Sequence, residues 1–355
     1  METDLKKAFT GRRVFLTGHT GFKGSWLVAM LRALGADVHG YALDPPSHPS
    51  LFDEAHLSQD CIDRRADIRD TRALAAAIEV ANPEVLFHLA AQPLVLSGLQ
   101  SPVETFEINA QGTVHVLEAV RAAPGIRAAV IVTTDKCYAP GKDRPLREDD
   151  ALGGDDPYSA SKACAELAVE AYRASFFAKG PIVASARAGN VIGGGDWAQY
   201  RLLADLARAM TADRRIVLRH PGAVRPWQHV FDACFGYLML AARALDGDRG
   251  VARAWNFGPD DAGHFTVAQV VEAFARAYGE TIDISIEPGA AHENPVLRLD
   301  SQQAREILGW QPFYDMHAAV DATARWYRER AIGTNVRSLL LTSVEALFAR
   351  AGSLA

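Results

Sequence analysis

Short apolar runs alternate with segments of helical periodicity over the first 190 residues. The apolar runs predict strands that begin at Val14, Asp37, Val85, Val130 and Ile182. Apolar positions at helical spacing follow the first run, at Trp26, Leu27, Met30, Leu31 and Leu34. Strands that alternate with helices predict βαβ units and a doubly wound parallel sheet, which binds ligands beyond the carboxyl ends of its strands.

Three longer helices are predicted in this half, over Thr71–Val80 with Asp70 as the N-cap, Pro102–Ala122 and Ser159–Phe177. After Trp197 the alternation loosens into predicted helices near 202–210, 231–244, 266–278, 301–308 and 318–327, with a strand at 253–257. The fold class is therefore α/β, with a Rossmann-type domain at 1–190 and a smaller C-terminal α/β lobe formed mostly by 191–355. The boundary is approximate because the two parts are partly interleaved. An amphipathic last stretch from Val336 to Phe348 is expected to dock on its own lobe.

Composition narrows the class of protein. Of the 355 residues 49% are apolar and 23% are charged, which is ordinary for a soluble globular protein. The net charge of −6 comes without a dense basic block, which argues against nucleic-acid binding. No apolar run approaches the roughly 20 residues that span a bilayer, and we expect no membrane association. The four cysteines show no metal-ligand spacing, so they predict reduced thiols, no metal site and a cytoplasmic location.

A glycine turn joins the first strand to the first predicted helix. Gly18, Gly21 and Gly24 have the spacing GxxGxxG rather than GxGxxG. The first permits a tight turn, the second lets the backbone approach a pyrophosphate, and the third allows close packing of helix on strand. The free N–H groups at the start of the helix then face the phosphates, so the turn predicts a dinucleotide site.

Two carboxylates bear on the choice of dinucleotide. Asp44 follows the second strand, about twenty residues beyond the glycine turn, where it can bind a ribose 2′-hydroxyl and repel a 2′-phosphate. This favours NAD over NADP; the alternative is a loop aspartate before two prolines. Asp67 either sits over an adenine or simply ends a strand.

The chemistry centres on Thr134, Tyr158 and Lys162. A lysine four residues after a tyrosine faces the same way on a helix. Its positive charge lowers the pKa of the phenol, and the threonine hydroxyl hydrogen-bonds the reacting oxygen. Together they predict an alcohol oxidation in which hydride leaves for NAD.

Several longer sequence motifs resemble those of a known family. The first 190 residues resemble the extended short-chain dehydrogenase/reductases. Further strings resemble the CDP-glucose 4,6-dehydratases over nearly the whole chain: Gly18-His-Thr-Gly-Phe-Lys-Gly-Ser-Trp26, Leu89-Ala-Ala-Gln-Pro-Leu94, Thr134-Asp-Lys-Cys-Tyr138, Gly153-Gly-Asp-Asp-Pro-Tyr-Ser159, Ala188-Gly-Asn-Val-Ile-Gly-Gly-Gly-Asp-Trp197 and Arg225-Pro-Trp-Gln-His-Val230.

The resemblance implies a redox-neutral lyase reaction on a nucleotide-sugar, in which NAD never leaves the protein. Tyr158 would deprotonate the C4 hydroxyl of glucose, Asp135 would protonate the departing C6 hydroxyl, and Lys136 would remove the C5 proton. Residues expected to contact NAD are Gly18, Thr20, Gly21, Phe22, Lys23, Gly24, Asp44, Asp67, Ile68, Leu89, Ala90, Ala91, Asn109, Thr133, Tyr158 and Lys162.

Lys136 has two alternative roles. Many sugar-nucleotide 4,6-dehydratases carry Asp-Glu at this pair, whereas this chain has Asp-Lys, as the CDP-glucose enzymes do. An ammonium cannot act as a base, so Lys136 must be neutral to remove a proton. Otherwise it stabilises the enolate electrostatically.

Substrate contacts are expected from residues whose side chains offer hydrogen bonds or positive charge: Gln92, Thr134, Asn190, Arg201, Arg225, His229 and Arg298. Arginine suits a diphosphate because its guanidinium is a planar fork. The alternative is a solvated side chain for Arg225 and Arg298, and packing for His229. His292 and Glu293 lie in a loop whose position resembles part of the family's nucleotide site.

One segment departs from the pattern. The family usually shows an Arg and then a Ser-Tyr pair, where this chain has Leu96-Ser-Gly-Leu99. The difference implies another sugar, another base or a rearranged loop. The alternatives are therefore a 4,6-dehydratase of another NDP-hexose, a 4-epimerase, or a non-catalytic NAD-binding regulator. The resemblance also implies a homodimer built on helices near 102–122 and 159–177.

Overall fold

The computed structural model describes residues 2–259, 265–287 and 297–352. Its strands are β1 (Arg13–Thr17), β2 (Asp37–Ala42), β3 (Ile62–Arg65), β4 (Val85–His88), β5 (Ala128–Val132), β6 (Ile182–Ala188), β7 (Val191–Ile192), β8 (Arg215–Leu218), β9 (Gln228–His229), β10 (Ala254–Phe257) and β11 (Asp283–Ile286).

The helices are α1 (Glu2–Phe9), α2 (Phe22–Ala33), α3 (Leu51–Glu54), α4 (Thr71–Ala81), α5 (Val95–Gln100), α6 (Pro102–Phe106), α7 (Gly112–Ala122), α8 (Pro157–Ser175), α9 (Leu202–Thr211), α10 (Val230–Leu245), α11 (Val267–Tyr278), α12 (Met316–Ala331) and α13 (Val336–Gly352). Within the described ranges, no helix is long and apolar enough to cross a membrane.

Seven parallel strands form the central sheet in the order β10-β6-β5-β4-β1-β2-β3. This confirms the predicted doubly wound, Rossmann-type sheet. Every residue of β5 and β6 is buried, because helices cover both faces. The strand order reverses between β1 and β4, and in such sheets the crevice at the carboxyl ends of those strands is the ligand site.

Residues beyond 190 contribute to both parts of the chain. β10 extends the central sheet beside β6, and α10 packs against β5 and β6. Two small parallel pairs, β8 with β11 and β7 with β9, belong to the C-terminal part together with α9, α11 and α12. The lobes are thus interleaved, and the predicted boundary at 190 stays a prediction.

The last helix corrects one expectation. We expected the stretch from Val336 to dock on its own lobe, but α13 packs against α1 and α2 of the N-terminal domain as well as on α12. Arg337 forms ion pairs with Asp60, and Arg330 on α12 pairs with Glu54. Leu340, Val344 and Leu347 are buried, so the apolar side of α13 faces the rest of the molecule.

Several predicted element bounds also change. The helix predicted over Pro102–Ala122 is interrupted by a π-helical turn at Glu107–Gln111. The helix predicted at 301–308 is helical over 302–308 and takes a π-helical form at Ala304–Leu308. The strand from Val85 ends at His88. A strand before Asp67 was predicted only as an alternative, because β3 is a polar strand at the sheet edge; it ends at Arg65.

Candidate active site

The glycine turn lies between β1 and α2, at the switch point of the sheet. Gly18 has a φ of 75°, and a Cβ there would lie 2.6 Å from the backbone nitrogen of Ala90. At Gly24 a Cβ would lie 2.1 Å from the Gly18 carbonyl oxygen. Both positions therefore require glycine. Gly21 is the N-cap of α2 and offers no side-chain oxygen to the first N–H groups of the helix, which fits a pyrophosphate.

The backbone next to this turn is also fixed by side-chain contacts. The hydroxyl of Thr17 accepts hydrogen bonds from the N–H groups of Leu89 and Ala90 at 3.2 and 3.3 Å. The hydroxyl of Thr20 donates to the carbonyl oxygen of Leu43 at 2.9 Å. With the close approach of Gly18 to Ala90, the bonds of Thr17 place the predicted cofactor segments 18–24 and 89–91 side by side. Phe22 lies beside Gly193, at the other wall of the turn.

The carboxylates predicted at the adenosine end lie on the surface. Asp44 is largely exposed and forms an ion pair with Arg65 at 3.1 Å. Asp67 follows the end of β3 by two residues, and its carboxylate binds the backbone and guanidinium of Arg69. Ile68 is buried against Gly112. An arginine beside Asp44 partly offsets its charge, but the carboxylate stays accessible to a ribose.

Asn109 connects the segment that follows β4 to α8, the helix that carries Tyr158 and Lys162. It lies in the π-helical turn, and its amide bonds both backbone groups of Gln92 and the hydroxyl of Ser161 at 3.0 Å. Gln92 uses its own side chain locally, donating to Thr105 and accepting from the N–H of Leu94. The π-helical turn therefore turns Asn109 inward, where it orders the segment that follows β4.

Tyr158 and Lys162 lie at the start of α8. Asp156 caps this helix by accepting from Ser159 N, and Pro157 occupies its first position. Burial raises the pKa of Tyr158 to about 12, while the Thr134 hydroxyl and the charge of Arg201 oppose that rise. Burial and the charge of Lys23 lower the pKa of Lys162 to about 8, and its ammonium donates to the carbonyl oxygen of Val132 at 3.2 Å.

Asp135 is fully enclosed in the turn that follows β5. Its Oδ1 accepts from the hydroxyl of Thr134 at 3.0 Å, and its Oδ2 has no hydrogen-bond partner among the described residues. Burial raises the pKa of Asp135, against the positive charges of Lys136, Arg225 and Lys23. Burial therefore favours the protonated form of this carboxyl group, which is the form that a general acid requires.

Lys136 follows in the same turn, Asp135–Cys137, and is half-buried. Thr134 begins this turn by accepting from the N–H of Lys136 at 3.3 Å. Asp135 and Lys136 are therefore held by a threonine that also faces Tyr158. Four predicted catalytic residues, Thr134, Asp135, Lys136 and Tyr158, meet at one place, with Lys162 beneath them.

Three predicted cations surround this centre. Arg201, at the start of α9, interacts with Tyr158 and Lys23, and Arg225 interacts with Asp135. Burial lowers the pKa of Lys23 to about 8. Asn190 lies nearby at the end of β6 with a φ of 31°. These positions suit the phosphates of a dinucleotide and of a nucleotide-sugar.

Two predicted substrate residues make other contacts. His229 is buried between Trp26 and Tyr314, accepts from Phe231 N at 3.2 Å, and has its pKa lowered to about 3 by burial. Arg298 donates to the Asp143 carbonyl oxygen at 3.0 Å. His292 and Glu293 lie outside the described residues. Within those residues, no group of three or more His, Cys, Asp or Glu side chains is placed to hold a metal ion.

Sequence reasoning missed a buried ion pair beneath the site. Glu166 lies one turn beyond Lys162 on α8 and pairs with Arg187 of β6 at 2.8 Å. The available signal was charge in an unusual place: an arginine within the mostly apolar strand from Ile182 and a glutamate on the inner face of a helix.

Known proteins are similar to this chain over most of its length. The model of the NAD dependent epimerase/dehydratase family matches residues 14–258. The chain belongs to this family. A CDP-glucose 4,6-dehydratase of Salmonella typhimurium is 41% identical over 91% of this chain and 92% of that protein. The family resemblance predicted from the sequence strings, and NAD as the cofactor of the family, are thereby confirmed.

More distant relatives share the fold. A UDP-glucose 4-epimerase of Mycolicibacterium smegmatis is 28% identical over 90% of this chain and 99% of that protein. The solved dTDP-glucose 4,6-dehydratase DesIV of Streptomyces venezuelae, with NAD and TYD bound, has a TM-score of 0.76 at 23% identity, covering 91% of this chain and 99% of that chain. The predicted α/β architecture with its C-terminal lobe matches the fold of this solved structure.

Proposed function

We propose that this chain is a nucleotide-sugar 4,6-dehydratase that converts CDP-glucose to CDP-4-keto-6-deoxyglucose, a step of deoxysugar biosynthesis. Asp135 carries the proposal: a buried carboxyl group with a raised pKa, close to Tyr158, suits the acid that elimination of water requires. A dehydrogenase that only oxidises an alcohol has no use for this acid. The 41% identity to a CDP-glucose 4,6-dehydratase supports CDP-glucose as the substrate.

Oxidation at C4 comes first. When bound, NAD accepts a hydride from C4 of the sugar and later returns it to C6. Tyr158 removes the proton of the C4 hydroxyl, and Thr134 hydrogen-bonds the same oxygen. Burial holds the pKa of Tyr158 near 12, so the lowered phenol pKa that we predicted from Lys162 is not found. The charge of Arg201 opposes the rise, and the phenol needs such cations around it to lose its proton.

Elimination follows from the 4-ketone, which acidifies the proton at C5. Loss of the C5 proton and protonation of the C6 hydroxyl by Asp135 release water and leave a double bond between C5 and C6. Lys136 either removes the C5 proton as a neutral amine or stabilises the enolate as a cation. Return of hydride to C6 and of a proton to C5 completes a redox-neutral cycle.

The cations at the rim bind the substrate diphosphate in this proposal. Arg201 and Arg225 are placed around the catalytic centre, and Asn190 lies at the end of β6 beside it. Gln92 and Asn109 order the adjoining backbone. The glycine turn would hold the cofactor, with Asp44 binding its ribose and with Thr133, Lys162 and the segment 89–91 at its nicotinamide end.

Other functions are less well supported. A 4-epimerase shares the oxidation but needs no acid for C6, so Asp135 favours the dehydratase. A dehydratase of another NDP-hexose remains an alternative because Leu96 and Leu99 replace polar family residues; Leu96 is half-buried and Leu99 exposed. The intact Thr134, Tyr158 and Lys162 argue against a non-catalytic NAD-binding regulator.

A substrate panel tests the proposal. The NAD-loaded protein is incubated with CDP-, dTDP-, GDP- and UDP-glucose, and the alkaline chromophore of the 4-keto-6-deoxy product is measured. We expect product from CDP-glucose at the highest rate. Product from another base alone would change the substrate, a C4 epimer would change the reaction, and no turnover of any sugar would contradict an enzymatic function.

The proposed homodimer is supported by an apolar patch over α5, α6 and α8. Its exposed side chains are Leu99, Val103, Phe106 and Leu167. Patches of this kind are typical of protein interfaces. Val103→Asp should shift the sedimentation coefficient to that of a monomer, while Val80→Asp, equally exposed on α4, should not. A monomeric native chain would refute the dimer.

A cytoplasmic location is also part of the proposal. All four cysteines are free, as expected in a reducing compartment. Cell fractionation with the native host would test it, and recovery in an oxidising compartment would contradict it.

A further inference from the structure

Glu166 is a buried carboxylate that no step of the proposed reaction uses. It extends from α8 and accepts hydrogen bonds from three groups: the hydroxyl of Thr133, the hydroxyl of Ser185 at 2.8 Å and the guanidinium of Arg187 at 2.8 Å. Burial opposes its ionisation, but Arg187 and the hydroxyl groups hold the pKa of Glu166 below its usual range. One carboxylate thus joins α8 to β5 and β6.

Arg187 continues the chain of contacts from the other side. Its guanidinium donates to the hydroxyl of Tyr138 and to the carbonyl oxygen of Glu148, at 2.8 and 3.0 Å. The guanidinium also lies 4.8 Å from the centre of the Tyr138 ring. The hydroxyl of Tyr138 in turn donates to Asn256 at 2.6 Å. Every side chain in this chain of contacts is buried.

The two attachment points flank the catalytic turn. Thr133 immediately precedes Thr134, and Tyr138 immediately follows the turn Asp135–Cys137. Thr133 is bound by Glu166 and Tyr138 by Arg187, so the ion pair holds the turn at both ends. Glu166 also lies one helical turn from Lys162 and two from Tyr158. A single ion pair therefore connects the residues of oxidation with the residues of elimination.

Stability alone does not account for this pair. Removing two charges from water costs several kcal/mol per ion, and well-packed apolar residues often serve a fold equally well or better. A fully buried, hydrogen-bonded ion pair that binds both flanks of one turn can instead fix a single geometry of that turn. Since reactions of bound groups are sensitive to displacements of about 1 Å, fixing the turn has a direct effect on rate.

We propose that the ion pair of Glu166 and Arg187 is a positioning device that aligns the turn bearing Asp135 and Lys136 with the sugar oxidised at Tyr158. The proposal rests on the 4,6-dehydratase function. Neither residue touches the substrate. Their role is to make elimination follow oxidation, so that the 4-ketone with reduced cofactor does not accumulate.

Single-turnover kinetics separate this role from a structural one. The variants are Glu166→Gln, which keeps the shape and removes the charge, and Tyr138→Phe, which removes only the hydroxyl that Arg187 binds. The control is Glu84→Gln, which removes the partner of Arg12 just before β4, at the amino ends of the strands and away from the catalytic turn. The absorbance of reduced nicotinamide reports oxidation, the alkaline chromophore reports product, and thermal unfolding reports the fold.

We expect both test variants to oxidise C4 at a rate close to that of the native chain and to eliminate water at least about tenfold more slowly. Reduced nicotinamide would then persist, whereas the control would behave as the native chain. Equal slowing of both steps, or an unchanged ratio of the two steps in folded variants, would overturn the proposal. Failure of the native chain to oxidise any NDP-hexose would instead count against the 4,6-dehydratase function, so the two failures are distinguishable.

If Glu166→Gln does not fold, Tyr138→Phe decides the matter, because it keeps both charges of the pair. A normal ratio of elimination to oxidation in Tyr138→Phe would then refute the positioning role. A Glu166→Asp variant, which retains the charge, should recover part of the elimination rate lost in Glu166→Gln. No recovery in a folded Glu166→Asp variant would show that charge at this position does not determine the position of the catalytic turn.

Discussion

The carboxyl group of Asp135 packs directly against the backbone of Gly189. A Cβ at residue 189 would lie 1.8 Å from Oδ2 and 2.3 Å from Cγ of Asp135. Gly189 follows β6, while Asp135 follows β5, so the contact forms where the carboxyl ends of two neighbouring strands meet. The acid of the proposed elimination thus depends on a glycine that carries no chemistry itself.

Gly189→Ala should therefore impair elimination. The added methyl group must displace the buried carboxyl of Asp135, because its carbon would otherwise lie 1.8 Å from Oδ2. We expect product formation to fall by roughly tenfold or more, while C4 oxidation is retained. Gly180→Ala is the matched control, since its nearest neighbour would lie at 3.9 Å. Native rates in Gly189→Ala would refute the required fit.

Asp135→Asn tests the acid directly. An amide has nearly the same shape but cannot protonate the departing hydroxyl. Loss of a general acid typically costs between roughly a hundredfold and ten-thousandfold in rate. Rapid-mixing absorbance should show reduced nicotinamide forming at the native rate and then persisting. Product at the native rate would mean that another group protonates the C6 hydroxyl.

Lys136→Ala tests the second half of the elimination. The variant should bind NAD and oxidise C4, because Thr134, Tyr158 and Lys162 are unchanged. Elimination should slow by on the order of a hundredfold, since the enolate loses its base or its stabilising charge. Quenched-flow measurement of product separates this step from oxidation. Normal turnover of Lys136→Ala would show that the lysine has neither role.

Asp232 gives a prediction about stability. Burial raises the pKa of Asp232 to about 7, although its carboxylate accepts from the N–H groups of Phe313 and Tyr314. The folded state then binds a proton more tightly than the unfolded state, so the contribution of this group is greatest below pH 4 and is lost as the pH rises to about 7.

Asp232→Asn removes this dependence. Relative to the native chain, the free energy of unfolding of the variant should increase by up to about 1.4 kcal/mol for each pH unit in that window, and then level off. The variant thus becomes more stable relative to the native chain as the pH rises. Urea unfolding at several pH values measures the difference. A difference that is constant with pH would show that Asp232 titrates alike in both states.

The sheet and the catalytic pairs were predictable because they depend on local patterns. Apolar runs marked β1, β4, β5 and β6, and the spacing of Tyr158 and Lys162 placed both on one face of α8. The glycine spacing likewise identified the turn before α2. In each case the information lies within a few residues of the feature.

The remaining features depend on residues far apart in sequence. The contact of Gly189 with Asp135 and the ion pair of Glu166 with Arg187 appear only when neighbouring strands are aligned. The placement of α13 on the N-terminal domain is set by packing against α2, which an amphipathic pattern does not specify. The π-helical turn around Asn109 is invisible to a helical pattern because it changes the period over five residues.

Transfer of hydride within one sugar tests the central claim most directly. CDP-glucose labelled with deuterium at C4 is converted by the NAD-loaded chain, and the product is examined by mass spectrometry and proton NMR. A 4,6-dehydratase must give CDP-4-keto-6-deoxyglucose with deuterium at C6. Deuterium found at C4 of an epimer, or released to solvent, would contradict the account.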